Sequence, residues 1–79
     1  MNINERLKKI IENIKEIHIK QNIENLSLRD ELQLSSLEML WLVMDIEKEF
    51  GISIGEDEIY SLFTGNDLIK YIKNKLSQN

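Results

Sequence analysis

A chain of 79 residues without cysteine has neither a disulfide framework nor a thiolate metal site, so its stability has to come from one small core. Hydrophobic residues at 42% are enough for that core and too many for a disordered chain, and with no leader-like segment and no apolar run of membrane-spanning length, a single cytoplasmic domain over residues 1–79 is expected. The net charge of −4 is unevenly spread, since residues 30–67 hold one lysine against ten carboxylates, a local balance of −9 that disfavours nucleic acid and membrane surfaces and draws basic partners as well as water.

Ile3, Leu7, Ile10, Ile11, Ile14 and Ile17 recur at helical spacing and predict an amphipathic first helix, capped by Asn2 or Asn4 and running to about His18 or Lys20. His18 is the only histidine and has no second His or Cys at ligand spacing, so it reads as a solvated residue near a helix C-terminus rather than a metal or catalytic group. Residues 21–35 lack periodicity and contain Asn22, Asn25, Ser27 and Asp30, which predicts a long loop. Leu26, Leu28, Leu32 and Leu34 are its anchors, so the loop should lie across the bundle rather than hang free.

Ser35 followed by Glu38 is a capping box, which makes Ser36 the first residue of a second helix, and Gly51 supplies its left-handed end. From Ser36 to Met44, seven of the nine residues are apolar. Placed at about 100° per residue, Met39, Leu42, Val43, Ile46 and Phe50 form one stripe, and Leu37, Leu40, Trp41 and Met44 form another. In a chain this short, one stripe serves the core and the other is left for something else.

Ile52 and Ile54 alternate, but no other segment offers a partner strand, so they should plug the core from a loop. Glu56, Asp57 and Glu58 open a short third helix that carries Ile59, Leu62 and Phe63; carboxylates enrich first turns, and a helix start explains the run better than acid–base chemistry or a cation site does. Thr64 and Asp67 form a second capping box for a last helix, whose apolar face is Leu68, Ile69, Ile72 and Leu76. The expected fold is all-α, a small four-helix bundle with a long first loop and a short third helix. Its core would use Leu7, Ile10, Ile14, Leu42, Ile46, Phe50, Ile54, Ile59, Phe63, Leu68 and Ile72.

No constellation in the sequence supports catalysis, because the serines lack a base and an orienting third group, and so small a fold has little room for an enclosed pocket. Ser36 does have a distinctive place. Its side chain stands where unpaired backbone N–H groups and the helix dipole favour an anion, so a phosphate ester there would be stabilised. An ordinary first-turn serine is the plainer reading of the same position.

The run Asp30-Glu31-Leu32-Gln33-Leu34-Ser35-Ser36-Leu37-Glu38, continued from Leu42 through Ile52, resembles acyl carrier proteins and the related peptidyl carrier domains. The similarity extends through Ile54, Phe63 and residues 67–72, and is most specific around the second helix. The family's Asp-Ser-Leu motif matches Ser35-Ser36-Leu37, which implies that Ser36 carries 4′-phosphopantetheine, with Ser35 the attachment residue if the register is shifted by one. The resemblance implies a tether for acyl or peptidyl thioesters in fatty-acid, polyketide or nonribosomal peptide synthesis. The partners would be a phosphopantetheinyl transferase and loading and processing enzymes with basic or apolar docking patches, met by a monomer.

Two departures from the family pattern bear on function. Ser35 stands in place of the aspartate that assists the transferase, and Trp41 stands where acyl carriers commonly have an acidic contact residue. The docking surface would comprise Leu37, Leu40, Trp41 and Met44, with Glu38, Asp45, Glu47, Glu49, Glu56 and Asp57 steering basic patches. The alternative keeps the fold and the stripe but leaves the serine unmodified, as a protein–protein docking module.

Overall fold

The computed structural model describes residues 2–78. In chain order it contains helix α1 (Ile3–Lys15), a short 3-10 turn (Ile23–Asn25), and helices α2 (Ser36–Phe50), α3 (Glu56–Ile59) and α4 (Gly65–Ser77). No strand forms among the described residues, and the small all-α bundle with a long first loop and a short third helix is the fold the sequence predicts.

Each long helix starts at a side-chain cap. Asn2 accepts the Glu5 N–H at 2.8 Å, Ser35 accepts the Glu38 N–H at 3.1 Å, and Thr64 accepts the Asp67 N–H at 3.1 Å. These side chains satisfy backbone donors that the helix itself leaves without partners, an arrangement worth about 1 kcal/mol each. At the other end of α2, Gly51 takes φ 66° and its N–H closes on the Glu47 carbonyl. That backbone conformation is open to glycine without a Cβ clash.

Helix α1 packs against α2 and α4. Leu7 and Ile11 from α1, Leu42 and Ile46 from α2, and Leu68, Ile69 and Ile72 from α4 are almost completely buried, each stabilising the fold by roughly 1.5–3 kcal/mol. The long loop contributes as much as a helix does. Ile23, Leu26, Leu28, Leu32 and Leu34 are all buried, and the loop is strapped to the segment before α4 by Leu28 N–H to the Phe63 carbonyl (2.8 Å) and Gly65 N–H to the Leu26 carbonyl (3.1 Å). The loop therefore lies across the bundle, as its leucines predict.

Three expectations need correction. First, α1 ends at Lys15 rather than near His18 or Lys20, because Glu16 turns into the left-handed region (φ 55°). The Glu12 carboxylate then captures the Ile19 N–H at 2.7 Å, so Ile19 enters the core and Ile17 remains exposed. Second, Phe63 is 62% exposed rather than part of the core. Helix α3 stops at Ile59, and the segment after it is tied to the long loop through the Phe63 carbonyl, which leaves Leu62 buried and Phe63 exposed. Third, Ile10, Ile14 and Ile59 are only partly buried, packing on the rim of the core. Leu7, Leu42, Ile46, Phe50, Ile54, Leu68 and Ile72 are buried as expected.

Candidate functional site

The N-terminus of α2 brings together the residues that the sequence singles out. Ser35 has extended backbone (φ −72°, ψ 171°) and completes both halves of the capping box: its hydroxyl accepts the Glu38 N–H, and Glu38 Oε1 accepts the Ser35 N–H at 2.9 Å. The Ser35 carbonyl accepts the Met39 N–H at 2.8 Å. Ser35 is thus committed to building the helix end. Ser36, the first helical residue, is exposed, and its hydroxyl stands clear of the capping bonds.

A cation from another helix supports this arrangement. Lys15, the last residue of α1, donates from Nζ to the Gln33 carbonyl at 3.0 Å and to Glu38 Oε1 at 3.1 Å. The Ser35 N–H first, and the Lys15 ammonium next, hold the Glu38 carboxyl below its ordinary 4.5. Nothing in the periodicity or spacing of the sequence links Lys15 to residues 33–38. Only the packing of α1 on α2 reveals the contact.

Along α2 the two stripes separate as predicted. Met39, Leu42, Val43, Ile46 and Phe50 face the core, whereas Leu37, Leu40, Trp41 and Met44 are 45–56% exposed. The acidic residues divide less uniformly. Asp45, Glu56 and Asp57 are exposed, and none of them forms a salt bridge among the described residues. Glu38 is held in the capping box, Glu49 pairs with Arg6 at 2.8 Å, and Glu47 Oε2 accepts the Ile54 N–H at 2.8 Å. Glu47 thereby fixes the loop that seats Ile54 in the core. His18 is highly exposed, with Nδ1 3.3 Å from Glu12, and among the described residues no group of three or more His, Asp or Glu side chains is placed to hold a metal ion.

This arrangement offers an exposed hydroxyl at a helix N-terminus, beside an apolar stripe. A family model described as the phosphopantetheine attachment site matches residues 5–72. The chain is 38% identical over 74 residues to an acyl carrier protein of Buchnera aphidicola subsp. Schizaphis graminum, covering 94% of each chain. It is 37% identical over 76 residues to an acyl carrier protein of Desulforapulum autotrophicum (95% of this chain, 99% of the relative). It is also 37% identical over 68 residues to that of Zymomonas mobilis (86% and 87%). The chain belongs to the phosphopantetheine-binding acyl carrier protein family.

It follows that the chain is a carrier protein and not an enzyme, and that its cofactor is covalently attached 4′-phosphopantetheine. The residues present fit that group. An exposed serine hydroxyl can be esterified without displacing a cap, and the free first-turn N–H groups and the positive dipole end favour the phosphodiester charge. When bound, the group supplies a thiol on a long flexible arm that holds cargo as a thioester. No helix among the described residues is long and apolar enough to cross a membrane.

Proposed function

We propose that the chain works as one acyl carrier domain over residues 1–79, tethering biosynthetic intermediates as thioesters on a 4′-phosphopantetheine arm at Ser36 and presenting them to partner enzymes. The observation that carries this reading is the division of labour between adjacent serines: the Ser35 hydroxyl is occupied as the cap of α2, and the exposed Ser36 hydroxyl is left for modification. The acyl carrier names of the relatives favour acyl over peptidyl cargo. The protein acts as a monomer in the cytoplasm and docks through Leu37, Leu40, Trp41 and Met44. Asp45, Glu56 and Asp57 form the steering rim, and Glu38, Glu47 and Glu49 add charge to it while holding structural contacts.

The stripe also supports a pathway with a dedicated partner, because four apolar side chains in contact with water suit a largely hydrophobic interface. Fatty-acid, polyketide and nonribosomal peptide synthesis all employ such carriers. Ser35 in place of the motif aspartate keeps a second reading open, in which the same stripe serves an unmodified docking module.

Intact mass after incubation with coenzyme A and a broad-specificity phosphopantetheinyl transferase separates the two. The expected result is a gain of one phosphopantetheine by the wild-type chain and Ser35→Ala, and none by Ser36→Ala. A wild-type chain that stays unmodified both with this enzyme and when purified from its native host would overturn the carrier reading in favour of the docking module.

A further inference from the structure

The segment that delivers Ser36 to the start of α2 is held from outside the helix. Gln33 lies in the left-handed region (φ 54°) although it is not glycine. Such a conformation is unfavourable for a residue with a Cβ and persists only where its surroundings fix it. Its carbonyl receives the Lys15 ammonium at 3.0 Å, and the same ammonium reaches Glu38 Oε1 at 3.1 Å. That carboxylate oxygen is also the acceptor for the Ser35 N–H. One lysine therefore joins the residue two before the cap, the cap itself and the third residue of the helix. The Lys15 side chain is 21% exposed and that of Glu38 20%, so the ion pair is partly withdrawn from solvent, whereas the bond to the Gln33 carbonyl lies at the surface.

We propose that Lys15 is a positioning residue for modification of Ser36, acting through Gln33 and Glu38 to hold the attachment loop in the one conformation that presents the Ser36 hydroxyl. This rests on the carrier reading and deepens it. In the reaction, Ser36 Oγ forms a bond to the phosphorus bearing the pantetheine arm of coenzyme A. The pyrophosphate bond breaks and 3′,5′-ADP leaves, with the hydroxyl proton passing to a base on the transferase. Lys15 takes no part in these bonds. It lowers the number of loop conformations that the transferase must sort through, so its loss should appear in kcat, while KM, set by the untouched docking stripe, stays nearly constant.

The test compares transfer kinetics of wild type, Lys15→Met, which keeps the apolar stem, and Lys15→Arg, which can still donate to both acceptors. Each is assayed well below its unfolding temperature, and the Ser35 amide and the Glu38 carboxyl are followed by NMR. The expected result is a fall of about tenfold in kcat/KM for Lys15→Met, carried by kcat. Its Ser35 amide should exchange faster and its Glu38 should titrate at higher pH. Lys15→Arg should restore all three. Wild-type kinetics in Lys15→Met, a change in KM alone, or a defect that Lys15→Arg does not rescue would overturn the positioning role and leave the assignment of Ser36 intact. A wild-type chain that gains no mass with the transferase and is also unmodified when purified from its native host would overturn both.

Discussion

Tyr71 donates its hydroxyl hydrogen to Glu58 Oε1 across 2.6 Å, and the same oxygen accepts the Gly55 N–H at 2.9 Å, so one carboxylate joins α4 to the first turn of the four-residue α3. A helix that short has little stability of its own. Its place depends on this contact and on the packing of Ile59 and Leu62. The Tyr71 hydrogen bond, followed by that from Gly55, holds Glu58 below its ordinary 4.5. Partial burial, followed by the Glu58 hydrogen bond, pushes the Tyr71 hydroxyl up to about 12.

The pH dependence follows from these directions. A lowered carboxyl contributes stability that is complete above 4.5 and is lost as the pH falls through its folded-state value. A raised phenol contributes stability that is complete below 10 and is lost as the pH rises from there through about 12. Tyr71→Phe should therefore have a lower urea midpoint than wild type at neutral pH, and the gap should close in acid as Glu58 is protonated. Urea unfolding of both proteins across the acid range checks this. A gap of constant size would assign the loss to packing instead of the hydrogen bond.

Gly65 is buried where α4 starts, and a Cβ added there would clash with the Ile23 carbonyl oxygen. Backbone cannot yield as a side-chain tip can, so Gly65→Ala must separate α4 from the 3-10 turn. The gain in helix propensity, up to about 1 kcal/mol, is smaller than the overpacking penalty of roughly 1–3 kcal/mol or more. Thermal unfolding should show a lower midpoint, by about 4–8 °C for each net kcal/mol lost. An unchanged midpoint would mean that the two segments part freely.

The parts of the fold legible in the sequence are those governed by local rules. The Ser35–Glu38 box, the Thr64–Asp67 box and Gly51 act within a few residues of themselves, and each stands where it was expected. The two stripes of α2 are legible because 100° spacing fixes which residues share a face. Where α1 ends is a different kind of question. The isoleucines keep helical spacing through Ile17, but the Glu12 carboxylate pulls Ile19 into the core, a choice between two isoleucines that periodicity cannot rank. The exposure of Phe63 is of the same kind, since the segment that carries it is tied through its carbonyl to Leu28, 35 positions earlier in the chain. The Lys15 clamp and the Glu47–Ile54 bond were likewise invisible, since both depend on side chains reaching elements that spacing does not connect.

Trp41 is the only tryptophan and lies in the middle of the exposed stripe, so it can report on docking directly. As an exposed residue, it should contribute little to folding, and Trp41→Ala should change stability by no more than about 0.5 kcal/mol. At an interface, a large aromatic residue near the centre is a common anchor. The same variant should lower kcat/KM for phosphopantetheinyl transfer by about tenfold, equivalent to ~1.4 kcal/mol. In the wild-type chain, Trp41 fluorescence should shift to shorter wavelength as the transferase binds. Normal kinetics in Trp41→Ala, with no spectral shift on binding, would remove this stripe from the docking surface.

Charge steering is best tested at residues whose carboxylates hold no tertiary contact. Glu47 does not qualify, because reversing it would release the Ile54 N–H and unseat Ile54 from the core, so slower association could reflect damage instead of lost attraction. Asp45 on α2 and Asp57 on α3 are exposed and form no salt bridge among the described residues. Asp45→Lys combined with Asp57→Lys should lower the unfolding midpoint only slightly, through the first-turn charge lost from α3, and slow association with the transferase by about tenfold at ~0.01 M ionic strength. At about 1 M salt, where screening acts over ~3 Å, the two proteins should associate at the same rate. Dissociation should change less than association, since rim charges guide encounter more than they hold the complex. Stopped-flow measurement of Trp41 fluorescence across this salt range gives both rates. Equal association at low salt would eliminate steering and leave the exposed Asp45 and Asp57 carboxylates without a role in docking.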